Sequence, residues 1–272
     1  MKTRVIVGAA LVAMLVVMLA VGGWMYIAVL TLFSFAAVHE LTLLFRKKGY
    51  APIAWPLYAL AATYPAGYRL FGSAAVIALY LVALLTMLAC SLFDEKRTTE
   101  DLLVSTGMFA YPLVLLLSAL PVYFAFSRAT GLTAACFALA APEFCDSFAF
   151  FGGTLFGKHK LCPSISPKKT VEGSISATLA GVLFGGILYF LQRAWGGAAP
   201  LAALLPLGFG CGIFSQLGDL FASKLKRWAD VKDFSSIFPG HGGVMDRIDS
   251  ILFCAPLTLA VFLILSHFGV IS

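Results

Sequence analysis

Apolar runs long enough to cross a lipid bilayer recur from one end of this chain to the other. That recurrence limits the possible folds more than any other feature. A spanning helix needs about 20 mostly apolar residues. Nine stretches approach that length: 5–21, 24–45, 52–67, 72–93, 102–126, 131–151, 174–193, 199–221 and 250–270. Of the 272 residues, 61% are apolar and 12% charged, against about 45–50% and about 25% in soluble domains. One water-soluble core of this size could not bury so much apolar surface, so the bilayer is the solvent for most of the chain. The expected fold is all-α, a polytopic transmembrane bundle of about nine spans. The first three are the least regular, because Gly22-Gly23 and the series Pro52, Pro56 and Pro65 shorten or break them. A kink is expected at Pro121 in the fifth. Lys2 and Arg4 ahead of an apolar run also suit a signal peptide. The apolar character resumes directly after Gly22-Gly23, so a first transmembrane helix is the simpler reading.

Charge provides an independent check on this layout. With nine spans, the N-terminus and every second connection share one side. Sixteen of the 19 basic residues fall there, leaving only Arg69, Arg128 and Arg193 on the other. By the positive-inside rule the rich side is cytoplasmic, the N-terminus is inside and the C-terminus outside. The formal charge of +6 is scattered among apolar segments with no basic domain, which argues against nucleic acid as a partner. The six cysteines form no CxxC pair, so neither a zinc site nor a disulfide framework is expected. Small buried residues in a reduced protein are the expectation for them.

All 13 acidic residues lie on the cytoplasmic side or near the cytoplasmic end of a helix. Asp146 falls about five residues inside the sixth span, roughly 7–8 Å deep at about 1.5 Å per residue, with Glu143 one turn deeper. Ionisable groups at membrane depth are costly and mark functional sites. Asp219 closes the eighth span and is followed by Ser223, Lys226 and Arg227. If the helix continues, Asp219, Ser223 and Lys226 share one face, and an acid, a hydroxyl and a cation on one stripe suit a metal–phosphate site. A third cluster, Pro239-Gly240-His241-Gly242-Gly243 with Asp246, Arg247 and Asp249, stands just before the ninth span. Its glycines permit close backbone approach to a ligand. Lys168 and Lys169 lie in the long connection 152–173; a second long connection spans 222–249. By contrast, the mixed-sign stretch 94–101 reads as a solvated loop. Carboxylates without a His/Cys set favour a hard cation such as Mg²⁺, and the surrounding Lys and Arg would hold a triphosphate.

The stretch Ser223-Lys224-Leu225-Lys226-Arg227, then Lys232-Asp233, then Pro239-Gly240-His241-Gly242-Gly243-Val244-Met245-Asp246-Arg247-Ile248-Asp249 resembles the signature of the phosphatidate cytidylyltransferase family. Asp146-Ser147, Phe156-Gly157-Lys158, Ser166-Pro167-Lys168-Lys169-Thr170, Glu172-Gly173 and Gln216-Leu217-Gly218-Asp219-Leu220 are similar to its other typical stretches. The resemblance covers about residues 143–255. It departs at Ala222, where many members carry Glu, so no metal role for a carboxylate carries over to that position.

The resemblance implies a Mg²⁺-dependent attack of phosphatidic acid on the α-phosphorus of CTP, yielding CDP-diacylglycerol and pyrophosphate. A second cation is compatible with such chemistry. It implies Asp219 and Asp246 as leading metal ligands, with Asp249 and Asp146 as further candidates. Lys226, Arg227, Lys168 and Lys169 would bind nucleotide or lipid phosphate, joined by Ser223, Lys232, Gly242, Gly243 and Arg247. His241 would orient phosphate, since a phosphate monoester is already an anionic nucleophile.

Residues 1–130 are then expected to form a scaffold with lipid or subunit contacts, a homodimer among them, and residues 131–272 the catalytic half. The expected setting is the cytoplasmic (inner) membrane, with the site facing the cytoplasm. Two rival readings remain: another CTP-dependent transferase or kinase acting on a polyprenol, phytol or ether-lipid substrate, and a membrane transporter. The latter fits less well, because the acids lie at one face and no inverted repeat is visible.

Overall fold

The computed structural model describes residues 2–272, with side chains from Ile6 onward except that of Ala75. The side chains of Lys2 and Arg4, two of the sixteen basic residues counted above, lie outside the described residues. The chain is an all-α integral membrane protein. In order, its elements are α1 (Lys2–Val21), α2 (Gly23–Lys47), α3 (Trp55–Phe93), α4 (Thr99–Phe124), α5 (Arg128–Phe156), a small hairpin of β1 (Lys160–Cys162) and β2 (Ser166–Thr170), α6 (Val171–Leu191), α7 (Leu201–Trp228), the single turn α8 (Met245–Ile248) and α9 (Ile251–His267). Among the described residues, six helices are long and apolar enough to span a membrane: α2, the Val76–Phe93 part of α3, α4, α5, α6 with its 3₁₀ extension to Trp195, and α7. The apolar part of α1 (Ile6–Val21) and α9 are shorter.

Local sequence explains the irregular points. The expected spans 52–67 and 72–93 are two helical segments meeting at Gly72, whose φ of 72° interrupts the helix and is readily accessible only to glycine. In the fifth expected span the main distortion is not at Pro121 but a few turns earlier. Tyr111 is extended (φ −124°, ψ 114°) within a π-helical turn, Phe109–Val114. Pro112 disfavours helical geometry for the residue before it and removes a donor from the ladder. The 94–101 connection is more than a solvated loop. Thr98 and Asp101 form a capping box at the start of α4, and buried Asp101 accepts from the Ala51 N–H at 2.6 Å. Arg97 donates to the Ala51 carbonyl, so this polar turn holds the entry to α3.

Packing divides the chain into two compact units. The first comprises the chain up to Leu120 together with Trp228–Arg247. Tyr26 is fully buried within it and donates to the Ala119 carbonyl at 2.9 Å, while Tyr64 stacks on Tyr80 with ring centroids 5.0 Å apart. Trp228–Arg247 therefore belongs with α1–α4 by packing, although the sequence division groups it with residues 131–272.

The second unit comprises Pro121–Arg227 and Ile248–Ser272. Its helices show the pattern expected in lipid. On α6 the large side chains Ile175, Leu179, Leu183, Ile187 and Phe190 are exposed, whereas Gly173, Ala177, Ala180, Gly181 and Gly185 are buried. Small residues let helices approach backbone to backbone where lipid supplies no hydrophobic drive. A Cβ at Gly181 would strike the Gly208 carbonyl of α7, and one at Gly208 would strike the Gly181 carbonyl. All six cysteines are free, and Cys145, Cys211 and Cys254 are buried.

Candidate active site

The polar heart of the second unit rests on three local devices. The first is the hairpin. The 152–173 connection folds as antiparallel β1 and β2, with Lys160 opposite Thr170. Thr170 then caps α6, its side chain accepting from the Gly173 N–H at 3.2 Å. Glu172, in the first turn of α6, reaches back to the hairpin base: it accepts from the Lys158 N–H at 3.1 Å and pairs with His159 Nδ1 at 2.7 Å. Lys168 and Lys169 are thereby carried on a short strand tied at both ends.

The second device is the unbroken run of α7 to Trp228. Asp219, Ser223 and Lys226 share one stripe, and Ser223 Oγ donates to Asp219 Oδ1 at 3.3 Å. The third is Gly218. A Cβ there would collide with the Asp249 carbonyl and lie 3.1 Å from the Phe253 ring. Lacking one, α7 comes close to the chain entering α9, and Asp219 comes near Asp249.

Around these devices a cavity of about 410 Å³ is lined by Asp146, Lys168, Lys169, Gln216 and Asp219, with apolar walls from Phe150 and Leu161. Lys169 Nζ lies 2.6 Å from Asp219 Oδ2. Asp146 stands ten residues before the end of α5 at Phe156, further inside its helix than a span ending at 151 implies. Its Oδ2 accepts from Ser250 Oγ at 3.1 Å. Asp249 is buried, with Oδ1 accepting from the Ser250 N–H at 2.8 Å. Burial first, then the neighbouring carboxylates of Asp219 and Asp146, push its pKa well above the ordinary carboxylate range, opposed by the buried Lys226 ammonium. The electrostatic frustration is the informative point: neighbouring acids that raise the pKa of Asp249 make a site that gains from a cation. Among the described residues no three His, Cys, Asp or Glu side chains already converge on one metal position. In this arrangement the Lys169 ammonium supplies the positive charge at Asp219.

Except for Arg227, the last residue of Pro121–Arg227 in the second unit, the remaining candidates belong to the first unit. The Phe238–Gly242 bridge closes a tight turn carrying His241, whose backbone N–H donates to the Phe238 carbonyl at 2.8 Å. Its Nδ1 and the Nε of Arg247 are buried without a hydrogen-bond partner among the described residues. Asp246 Oδ2 accepts from the N–H groups of Phe234 and Gly243, both at 2.9 Å. Lys232 and Arg227 are exposed.

Several supporting residues were given no role in the sequence analysis. Ser250 and Gln216 bond to the site or brace it; the Gln216 amide donates to the Ser174 carbonyl of α6 at 3.2 Å. Glu40 is the largest omission. It is 1% exposed on α2, and its carboxylate is bonded to Ser235, Val244 and Met245. One signal was available: Glu40 is an acid within an apolar helix, the same feature that singled out Asp146.

Residues 2–265 match the cytidylyltransferase family. The chain belongs to that family. This cytidylyltransferase-family chain is 32% identical to a phosphatidate cytidylyltransferase of Thermotoga maritima over 268 residues, 97% of each protein. It is 42% identical to the phosphatidate cytidylyltransferase of Bacillus subtilis over 126 residues, 46% of each, and 39% identical to that of Staphylococcus haemolyticus over 139 residues, 50% of this chain and 51% of that protein. Within this family member, the second unit sets paired lysines against acids in a cavity with apolar walls. That combination suits a polyphosphate and a lipid phosphate, with hard oxygen ligands for a divalent cation.

Proposed function

We propose that the protein is a phosphatidate cytidylyltransferase, which joins the cytidylyl group of CTP to phosphatidic acid and releases pyrophosphate. The observation that carries the reading is the cavity of the second unit. Lys168, Lys169, Asp146 and Asp219 line it together, with Lys169 paired to Asp219, and the helix that supplies Asp146 also exposes Phe148, Phe150, Phe151 and Leu155. Such a cavity offers charge to a nucleotide and a greasy flank to a lipid whose acyl chains remain in the bilayer.

In this mechanism a phosphatidate oxygen attacks the α-phosphorus of CTP as the bond to pyrophosphate breaks. Little covalent chemistry falls to the protein, so positioning and charge stabilisation do the work. Lys168, Lys169, Lys226 and Arg227 neutralise phosphate oxygens, and Ser223 orients Asp219. Asp219, Asp146 and Asp249 would hold Mg²⁺, and the family motif adds Asp246. The bound ion, with a second cation beside it in two-metal chemistry, would supply charge neutralisation at the phosphoryl oxygens. His241, Gly242, Gly243, Lys232 and Arg247 are assigned by the same motif to phosphate binding. No proton need be removed from the nucleophile, so His241 acts by orientation.

The same reading takes nine spans, a site facing the cytoplasm of the inner membrane, the N-terminus inside and the C-terminus outside. The uneven division of Lys and Arg is its basis. A reporter fused after Ser272 is expected to read as external and one inserted at Thr98 as cytoplasmic; the same side for both would overturn the odd span count. The catalytic reading is tested with labelled CTP and phosphatidate in the presence of Mg²⁺. Labelled CDP-diacylglycerol is the expected product. Transfer only to a polyprenyl or phytyl phosphate would replace the substrate, and no CTP consumption with any lipid would overturn the reading.

A further inference from the structure

A carboxylate almost sealed from solvent needs donors to replace its lost water. Glu40 has three. Val244 N–H donates to Oε1 at 2.8 Å, Met245 N–H to Oε2 at 2.8 Å, and Ser235 Oγ to Oε1 at 2.6 Å. Two successive backbone N–H groups grip the two oxygens of one carboxylate, an arrangement that fixes orientation as well as distance. The approach depends on Gly243, where a Cβ would lie 2.6 Å from Oε2. Glu40 belongs to α2, whereas all three donors belong to the 235–245 segment, some two hundred residues later in the chain. Both lie in the first unit.

That segment contains His241, Gly242 and Gly243 and leads directly to Asp246. Asp246 fastens it from within, through the N–H groups of Phe234 and Gly243. Glu40 fastens it from outside, to a membrane helix. Beside these two carboxylates, the Phe238–Gly242 turn, the Ser235–Ile237 contact and the Arg247 N–H to Val244 carbonyl bond order the segment. Glycines at 240, 242 and 243 leave its backbone little stiffness of its own.

We infer that Glu40 is a positioning residue for nucleotide binding: its carboxylate clamps the 235–245 segment to α2 and so holds His241, Gly242, Gly243 and Asp246 in the geometry that CTP requires. The inference rests on the reading of this segment as nucleotide-binding given above. A carboxylate suits the place better than its amide. Every partner is a donor and a carboxylate only accepts, whereas glutamine would turn an NH₂ toward a backbone N–H.

The test compares Glu40→Gln with wild type in the full-length protein in detergent micelles, by steady-state kinetics, CTP binding at equilibrium and amide hydrogen exchange. In Glu40→Gln the Val244 and Met245 amides should exchange faster. Affinity for CTP should fall about tenfold or more, with KM for phosphatidate unchanged. Ser235→Ala, which removes one donor and leaves the buried acid in place, should shift the same quantities in the same direction by less, and it carries the test if Glu40→Gln fails to fold. Unchanged exchange, or faster exchange with wild-type CTP affinity, would overturn the inference. Failure of the catalytic reading looks different. A wild type that binds CTP but does not act on phosphatidate leaves the binding and exchange comparison decisive, whereas a wild type that binds no CTP sinks both.

Discussion

Asp219 and Asp246 carry the same side chain and the same expected role, yet the two units treat them differently. Asp219 is held by other side chains: the Lys169 ammonium at 2.6 Å and the Ser223 hydroxyl at 3.3 Å. Both are mobile groups that can turn away when a cation or a phosphate arrives. Asp246 is held by backbone, through two N–H groups at 2.9 Å. Those donors cannot leave without unfolding the turn they belong to. One aspartate is therefore part of an exchangeable charge network, and the other also maintains the shape of its loop. The lesson is that a motif names acids without saying which of them are free to change partner.

The largest expected effects test that contrast directly. Asp219→Asn should lower turnover by on the order of a thousandfold while the amide exchange of the 234–246 segment stays as in wild type. Asp246→Asn should be comparably inactive, but with faster exchange at Phe234 and Gly243, because an amide is a weaker acceptor than a carboxylate. Identical exchange in the two variants would erase the distinction. Removal of divalent cations with a chelator should abolish turnover, and Mg²⁺ should restore it.

A smaller effect sharpens the account of Asp219. Lys169→Ala should cost about tenfold in activity through the lost phosphate contact. The Mg²⁺ concentration for half-maximal activity should nonetheless fall, because the ammonium no longer competes for the carboxylate. A rise would mean that Lys169 assists cation binding instead.

The next comparison is between helices. Gly208→Leu drives a side chain into α6 and should lower stability by about 1–3 kcal/mol, measured as thermal unfolding in detergent. Gly107, on α4, has open space where a Cβ would go, so Gly107→Leu should leave stability near wild type.

The smallest effect belongs to the exposed pair Lys48–Asp230, 2.8 Å apart. Its hydrogen bond and charge hold Asp230 below the usual carboxylate range. A depressed folded pKa stabilises above the unfolded value and is lost as pH falls through the folded one. Lys48→Ala should therefore differ slightly from wild type at neutral pH and converge with it in acid.

Much of this was open to inspection in the chain itself. Apolar length and composition required membrane helices, because no aqueous core could hold so much apolar surface. Asp219, Ser223 and Lys226 are spaced as one helical stripe, and the glycine-rich signature before Asp249 identified the family. These are local properties, written in spacing of a few residues, and local geometry preserves them. What only the tertiary structure decided are the pairings across sequence distance. They include Lys169 with Asp219, Ser250 with Asp146 across 104 residues, and Glu40 with Val244 and Met245 across more than 200. Nothing in the residues around Glu40 names its partners. A buried carboxylate must find donors somewhere, and only the packing of α2 against a distant, glycine-rich loop determines where.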